Sequence, residues 1–365
     1  MPVLGLIIAG SAWLLAQMAS SGPPSYSDKA DLLVYVDSNG VRRTIKTAAD
    51  WERRREHILA SLQRVMGDLP GDARKVPLDV KVHEVKSLPG LVRQKISFAA
   101  EPGDWVPAYL LIPAAAKEKV PAVLSLHQTT AIGKDEPAGL GGDANLHYGL
   151  ELAQRGYVAL CPDYPNYGQY KFDPYRHGYA SATMKAIWNH MRAVDLLGSL
   201  AEVDLARIGC IGHSLGGHNA LFLAAFDRRI GAVVSSCGFT SFRKYAGGNL
   251  AGWSHAGYMP RIASVYENDP AKVPFDFAEV LGAAAPRAVF ASAPLRDANF
   301  DVSGVRDCLA AAAPVFELLG ARGRCVAVYP DAGHGFPPET RRAAYAFIDD
   351  ALRHTPAAPH QDREH

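Results

Sequence analysis

Gly212-His213-Ser214-Leu215-Gly216 constrains this chain more than any other stretch, because its flanks demand a strand on one side and a helix on the other. Upstream, Ala206-Arg207-Ile208-Gly209-Cys210-Ile211 reads as a short buried strand. Downstream, Gly217-His218-Asn219-Ala220-Leu221-Phe222-Leu223-Ala224-Ala225 reads as a helix that turns small residues toward a neighbour. A serine at the apex of such a strand-turn-helix sits in a sharp turn that the glycines permit, with its hydroxyl exposed. The pattern therefore predicts a nucleophilic serine at Ser214.

An alcohol attacks a carbonyl only if a base takes its proton, so a histidine and an orienting acid should follow, each just after a later strand. Ala288 to Ala293 is a strand candidate that ends in Pro294-Leu295-Arg296-Asp297. Cys325 to Pro330 is another, followed by Asp331-Ala332-Gly333-His334. The expected roles are Ser214 as nucleophile, His334 as general base and Asp297 as its orienting acid. Asp301 and Asp307 are rivals for the acid but stand farther from the strand end, and Asp331 would support the loop presenting His334. His213 and His218 should point into the sheet or along the helix and so fail as bases. The second oxyanion donor beside the Leu215 N–H would be Gln128 or Thr129, with position favouring Thr129 and with His127 fixing the loop.

The chain has 365 residues, 48% of them hydrophobic, and a formal net charge of +1. It can bury a large core, and the absence of a basic surplus argues against nucleic acid as a partner. From Pro121 onward apolar strands alternate with helices, which predicts a mainly parallel sheet covered on both faces. The strands are Ala122 to Leu126, Tyr157 to Cys161, Ile208 to Ile211, Ala232 to Ser236, Ala288 to Ala293 and Val326 to Tyr329. The helices are Tyr148 to Arg155, Thr183 to Leu200, Cys308 to Leu319 and Thr340 to Arg353. Ahead of them, Asp50 can cap a helix from Trp51 to Met66 whose Arg53-Arg54-Arg55 run reads as a solvated face. Alternating segments at Leu78–Val82, Leu91–Phe98 and Val106–Pro113 suggest antiparallel strands at one sheet edge. Two long connections, Asp163 to Ala182 and Phe239 to Glu279, leave strand carboxyl ends and are crowded with aromatic residues, most of which should simply pack the loops down.

The elbow, with Gly156-Tyr157-Val158-Ala159 leading to Asp163 and Val203-Asp204-Leu205-Ala206-Arg207-Ile208-Gly209 before it, resembles the α/β-hydrolase superfamily. More narrowly it is similar to the acetyl xylan esterase-like and dienelactone hydrolase-like branch. The resemblance implies an α/β-hydrolase fold with an added amino-terminal helix and antiparallel strands. It also implies a serine esterase acting through an acyl-enzyme, on short, above all acetyl, esters of carbohydrate-like alcohols. Dienelactone hydrolases carry Cys where this chain has Ser214, which favours ester over lactone chemistry. Relatives often show His-Gly where this chain has His127-Gln128-Thr129-Thr130.

The expected divisions are 1–27, an apolar signal peptide directing export or periplasmic location; 28–115, an extension packed on the core; 116–354, the catalytic domain; and 355–365, a polar tail. The apolar run at 3–16 is short for a membrane span. An uncleaved anchor is the alternative to a signal. The five cysteines form no evident framework; Cys161, Cys210 and Cys237 lie in apolar runs as small hydrophobes, and Cys308 and Cys325 could pair in an exported protein. No cofactor or metal is called for, and the partner is a small-molecule or carbohydrate ester. A serine peptidase of the oligopeptidase kind lacks room for its propeller ahead of Pro121. A hydrolase-fold binding protein would be expected to have lost a member of the catalytic set.

Overall fold

A computed structural model describes residues 22–114 and 118–357. The expected signal peptide falls largely on 1–21, outside the described residues, as do 358–365 of the expected tail. Ala357 is fastened, its N–H donating to Arg155 O at 3.0 Å.

A two-stranded ribbon, β1 (Val34–Val36) and β2 (Arg42–Thr44), precedes helix α1 (Ala48–Met66). The helix begins earlier than the position of Asp50 suggests. Thr47 is the cap, accepting from Asp50 N, while the Asp50 carboxylate accepts from Thr47 N, a reciprocal pair that satisfies two otherwise orphaned donors. Trp51, Ile58, Leu62 and Val65 are buried, as their spacing requires.

The arginine run on this helix corrects the expectation of a solvated face. Arg54 is fully buried and pairs with the equally buried Glu279 at 2.5 Å. Arg55, 6% exposed, donates to Ala225 O and Ala283 O. Helix geometry forces this: in three consecutive residues at 100° spacing, at least one must turn toward the side that Trp51 and Ile58 bury. Glu279 meets one nitrogen of Arg54 and two carbonyls meet Arg55, while Arg54 Nε and Nη1 are buried without an acceptor among the described residues.

Strands β3 (Lys81–Leu88), β4 (Leu91–Glu101), β5 (Asp104–Pro113), β6 (Val120–Leu126), β7 (Val158–Pro162), β8 (Val203–His213), β9 (Ile230–Ser236), β10 (Ala288–Ser292) and β11 (Cys325–Val328) form one sheet. Its order is β11-β10-β9-β8-β6-β7-β5-β4-β3. The strands from β11 to β7 run parallel, and β5, β4 and β3 continue the sheet antiparallel. β3 starts three residues later than expected, after Asp79 with φ +37°, and exposes almost its whole length. Its lysines, His83 and Glu84 make that edge a poor template for a further strand.

The longer helices that follow are α2 (Tyr148–Gln154), α3 (Ala182–Ser199), α4 (Leu215–Phe226), α5 (Phe277–Ala284), α6 (Val302–Leu318) and α7 (Pro338–Ala351), with a single α-helical turn at Arg261–Ser264. α6 begins six residues before the expected Cys308, because Asp301 caps it by accepting from Ser303 N. Alternate residues of β6 enter different cores: Leu124 and Leu126 pack with α1, α3, α4, α5 and α6, whereas Val123 packs with α2 and α7. A sheet covered on both faces needs apolar residues at every position, which is why these strands read as unbroken apolar runs.

Because β7 and β8 flank β6 on opposite sides, the strand order reverses at β6, and in open sheets of this kind the carboxyl ends at such a reversal are where ligands bind. Ser214 leaves β8 at that point.

Candidate active site

Ser214 stands at φ +51°, ψ −115°, between β8 and α4, and its N–H donates to Ser236 O at the end of β9 at 2.8 Å. The flanking glycines serve close approach. A Cβ on Gly212 would fall 2.2 Å from Gly216 C, and one on Gly216 would fall 2.0 Å from Leu126 O. The strained serine is thus held by backbone packed too tightly for any side chain.

The expected acid and base meet. His334 Nδ1 lies 3.0 Å from each carboxylate oxygen of Asp297. The Asp297 side chain is 1% exposed and also accepts from Asn299 N and Phe300 N. Burial pushes its carboxyl up, but the His334 hydrogen bond and charge and the two backbone donors outweigh burial, and the net effect holds it below the usual carboxylate range. The loops of the two residues run together, Leu295 N–H donating to Pro330 O and Arg296 N–H to Ala332 O.

The rival acids are otherwise engaged. Asp301 caps α6, Asp307 pairs with Lys244 at 2.7 Å, and Asp331 pairs with Arg296 at 2.6 Å beside the His334 loop. His213 is buried with its ring 4.9 Å from that of His334 and its Nδ1 3.0 Å from Ser236 Oγ, so it packs beneath the imidazole. Ser214 Oγ and His334 share no hydrogen bond among the described residues; such bonds often tighten only with substrate.

Leu215 opens α4, so its N–H is one of the helix-start donors. Thr129 is exposed, and its Oγ1 lies 2.9 Å from the Tyr258 hydroxyl. Tyr258 packs against the cluster containing Leu215 and Tyr164, and its ring meets His218 edge-on at 5.4 Å. Gln128 Nε2 is spent on Glu136, and His127 Nε2 accepts from Tyr164 N at 2.9 Å, tying the β6 loop to the β7 loop. Asp163 adds a second tie: it accepts from Lys134 N and Gln169 N and pairs with the buried Lys134 ammonium at 3.1 Å.

Most aromatic residues of the two long loops pack inward. Tyr164, Tyr170, Phe172, Tyr179, Phe242 and Trp253 are buried, while Tyr175, Tyr167 and Tyr258 keep part of their surface in solvent. A cleft of about 510 Å³ lies elsewhere, between Lys29, Arg243, Lys244, Asp276 and Asp307, and none of Ser214, Asp297 and His334 lines it.

All five cysteines are free, so Cys308 and Cys325 do not pair. Cys161 and Cys210 are buried in strands as small hydrophobes. Cys237 is different: its Sγ, an Asp297 oxygen and a His334 nitrogen lie within 4.8 Å of one another. Nothing in the run Ser235-Ser236-Cys237 signals this, because its neighbours there come from residues 60 and more positions later. None of the described helices is long and apolar enough to cross a membrane.

Residues 164–320 match the family described as glucuronyl esterase of fungi. A curated relative, a Bacillus subtilis protein described as hydrolase YtaP, is 30% identical over 204 residues, covering 51% of this chain and 63% of the relative. The chain thus spans just under two thirds of that protein's length. Among solved structures, a glucuronoyl esterase from Solibacter usitatus superposes with a TM-score of 0.71 at 21% identity, over 90% of this chain and 98% of its own. A Bacteroides fragilis protein described as an acetyl xylan esterase gives 0.61 at 16% identity, over 94% and 90% of the two chains. Parallel sheet, elbow and neighbours agree on architecture: this chain is an α/β-hydrolase-fold protein.

Proposed function

We propose that the protein is a serine carboxylic-ester hydrolase in which Ser214 is the nucleophile, His334 the general base and Asp297 the acid that orients it. One observation carries the reading: a buried carboxylate holds His334 Nδ1 through both oxygens, and the His334 ring lies 4.9 Å from that of His213, the residue just before a serine kept in a strained turn. With Nδ1 committed to Asp297, Nε2 is free to take the Ser214 proton as Oγ attacks the ester carbonyl. The oxyanion is received by the Leu215 N–H and, from the opposite loop, the N–H of Thr129. His334 then returns the proton to the departing alcohol, and water, deprotonated by the same histidine, releases the acid from Ser214.

The substrate we propose is a short-chain ester of a carbohydrate-like alcohol, acetyl above all. The polar-tipped rings of Tyr258, Tyr167 and Tyr175 offer sugar-like groups an apolar face with hydrogen bonds at the rim. A second reading, with a uronic acid as the acyl half, is favoured by the match to glucuronyl esterases, since residues 164–320 span both long loops. We also keep export in the proposal, on the apolar run at 3–16.

The test is kcat/KM for 4-nitrophenyl acetate, butyrate and octanoate beside acetylated xylan and a benzyl glucuronate ester, with fluorophosphonate labelling of Ser214. Highest turnover on acetyl esters is expected. A preference for the glucuronate ester selects the second reading, an octanoate maximum contradicts both, and a protein that neither labels nor turns over is a binding protein.

A further inference from the structure

Cys237 follows β9 directly and stands at φ +47°, in the left-handed region where a non-glycine residue is uncommon. Its contacts account for that backbone. The N–H donates to Ser292 O at 2.9 Å, the last residue of β10, which delivers Asp297. The Sγ donates to Gly335 O at 3.4 Å, the residue after His334. The same sulfur adjoins the Asp297 carboxylate. One residue at the end of β9 is thus fastened to the strand that carries the acid and to the loop that carries the base.

The thiol is 2% exposed, and burial together with the Asp297 charge pushes its pKa up, so it remains a neutral S–H beside a carboxylate. A thiolate there would repel Asp297, whereas an S–H has a proton to donate. A small hydrophobe would fill the same volume without tying the loop.

We propose, resting on the Ser214–His334–Asp297 reading, that Cys237 is a positioning residue whose S–H bond to the Gly335 carbonyl holds the His334 loop against Asp297. Without it the imidazole loses registry with the carboxylate and with Ser214, and misplacement of a base is felt in the chemical step. The loops rich in Tyr and Trp that would bind substrate are untouched, so the loss belongs to kcat and not to KM.

Cys237→Ala and Cys237→Ser test this, because Cys, Ser and Ala share the Cβ and therefore the same backbone strain; alanine removes the γ atom with its donor, and serine restores a donor on a smaller atom. Kinetics on 4-nitrophenyl acetate, the rate of fluorophosphonate labelling and thermal melting are measured for each. The alanine variant is expected to lose about 10-fold in kcat and in labelling rate at near-constant KM, with the serine variant recovering most of both. If Cys237 only fills space, the buried hydroxyl makes Cys237→Ser the worse variant, and that ranking, or an alanine variant equal to wild type, overturns the proposal. Wild-type protein that does not label overturns the hydrolase reading itself, and the proposal with it.

Discussion

Asp297 receives His334 Nδ1 on both carboxylate oxygens at 3.0 Å while Asn299 N and Phe300 N approach the same group from behind. Three donors on an almost fully buried carboxylate keep it ionised at neutral pH, since its folded pKa lies below the ordinary value. The stability this linkage contributes is present above about pH 4 and is lost only as pH falls through the lowered folded value.

Asp297→Asn should therefore lower kcat by about 10⁴-fold, because the amide oxygen is taken by Asn299 N and Phe300 N, leaving an NH2 that donates to Nδ1, selects the wrong tautomer and brings no charge to the imidazolium. Asp301→Asn should leave kcat within about 2-fold, as asparagine caps a helix about as well as aspartate. Steady-state kinetics of the two variants checks this, and the reverse ranking would move the acid to Asp301.

Ser214 is where activity and stability should part company. Ser214→Ala should abolish turnover, by about 10⁴-fold or more, at an unchanged melting temperature. Ser214→Gly should be equally inactive yet more stable by about 1 kcal/mol, since relief of the strain at φ +51° outweighs the greater chain entropy that glycine loses on folding. A glycine variant less stable than alanine would show that the turn is unstrained.

Arg54→Met should cost about 3 to 5 kcal/mol, because it leaves the Glu279 carboxylate buried without its partner. Making Arg54→Met and Glu279→Leu together should recover most of that loss. Urea unfolding of the single and double variants measures it, and strict additivity would mean that the pair does not interact.

These cases show what was legible in the chain. The elbow and the positions of Asp297 and His334 could be read because strand ends and glycine spacing are local properties, and the parallel sheet because unbroken apolar runs signal burial on both faces. Arg54 could not be read: whether a guanidinium in a charged run is solvated depends on an acceptor that arrives much later in the chain. Cys237 was opaque for the same reason, its partners being Ser292, Gly335 and Asp297. The start of α6 was obscured by Gly304 and by Pro314 inside the helix, and Thr47 by the better-looking cap at Asp50.

Acid should unfold the protein well above pH 3. Burial holds His190, His213 and His218 each at about 3, far below the free value. Between that value and about 6.5 the unfolded chain binds a proton at each site that the folded one refuses, so stability falls as pH falls, by about 1.4 kcal/mol per unit for each histidine. Melting temperatures recorded from pH 8 to pH 4 should drop steeply below about pH 6. A flat profile would mean that these rings gain a proton in the folded state.

The Arg54–Glu279 pair has a consequence in time. Its members are 225 residues apart in the chain. At about 5 to 20 residues per second, α1 leaves the ribosome roughly 10 to 45 seconds before the carboxylate that neutralises it has been made. Until then its amphipathic face and an uncompensated guanidinium have no native berth, and the first strands of the sheet lack the neighbours that complete it. The leading helix can therefore complete its native contacts only once residue 279 has been made.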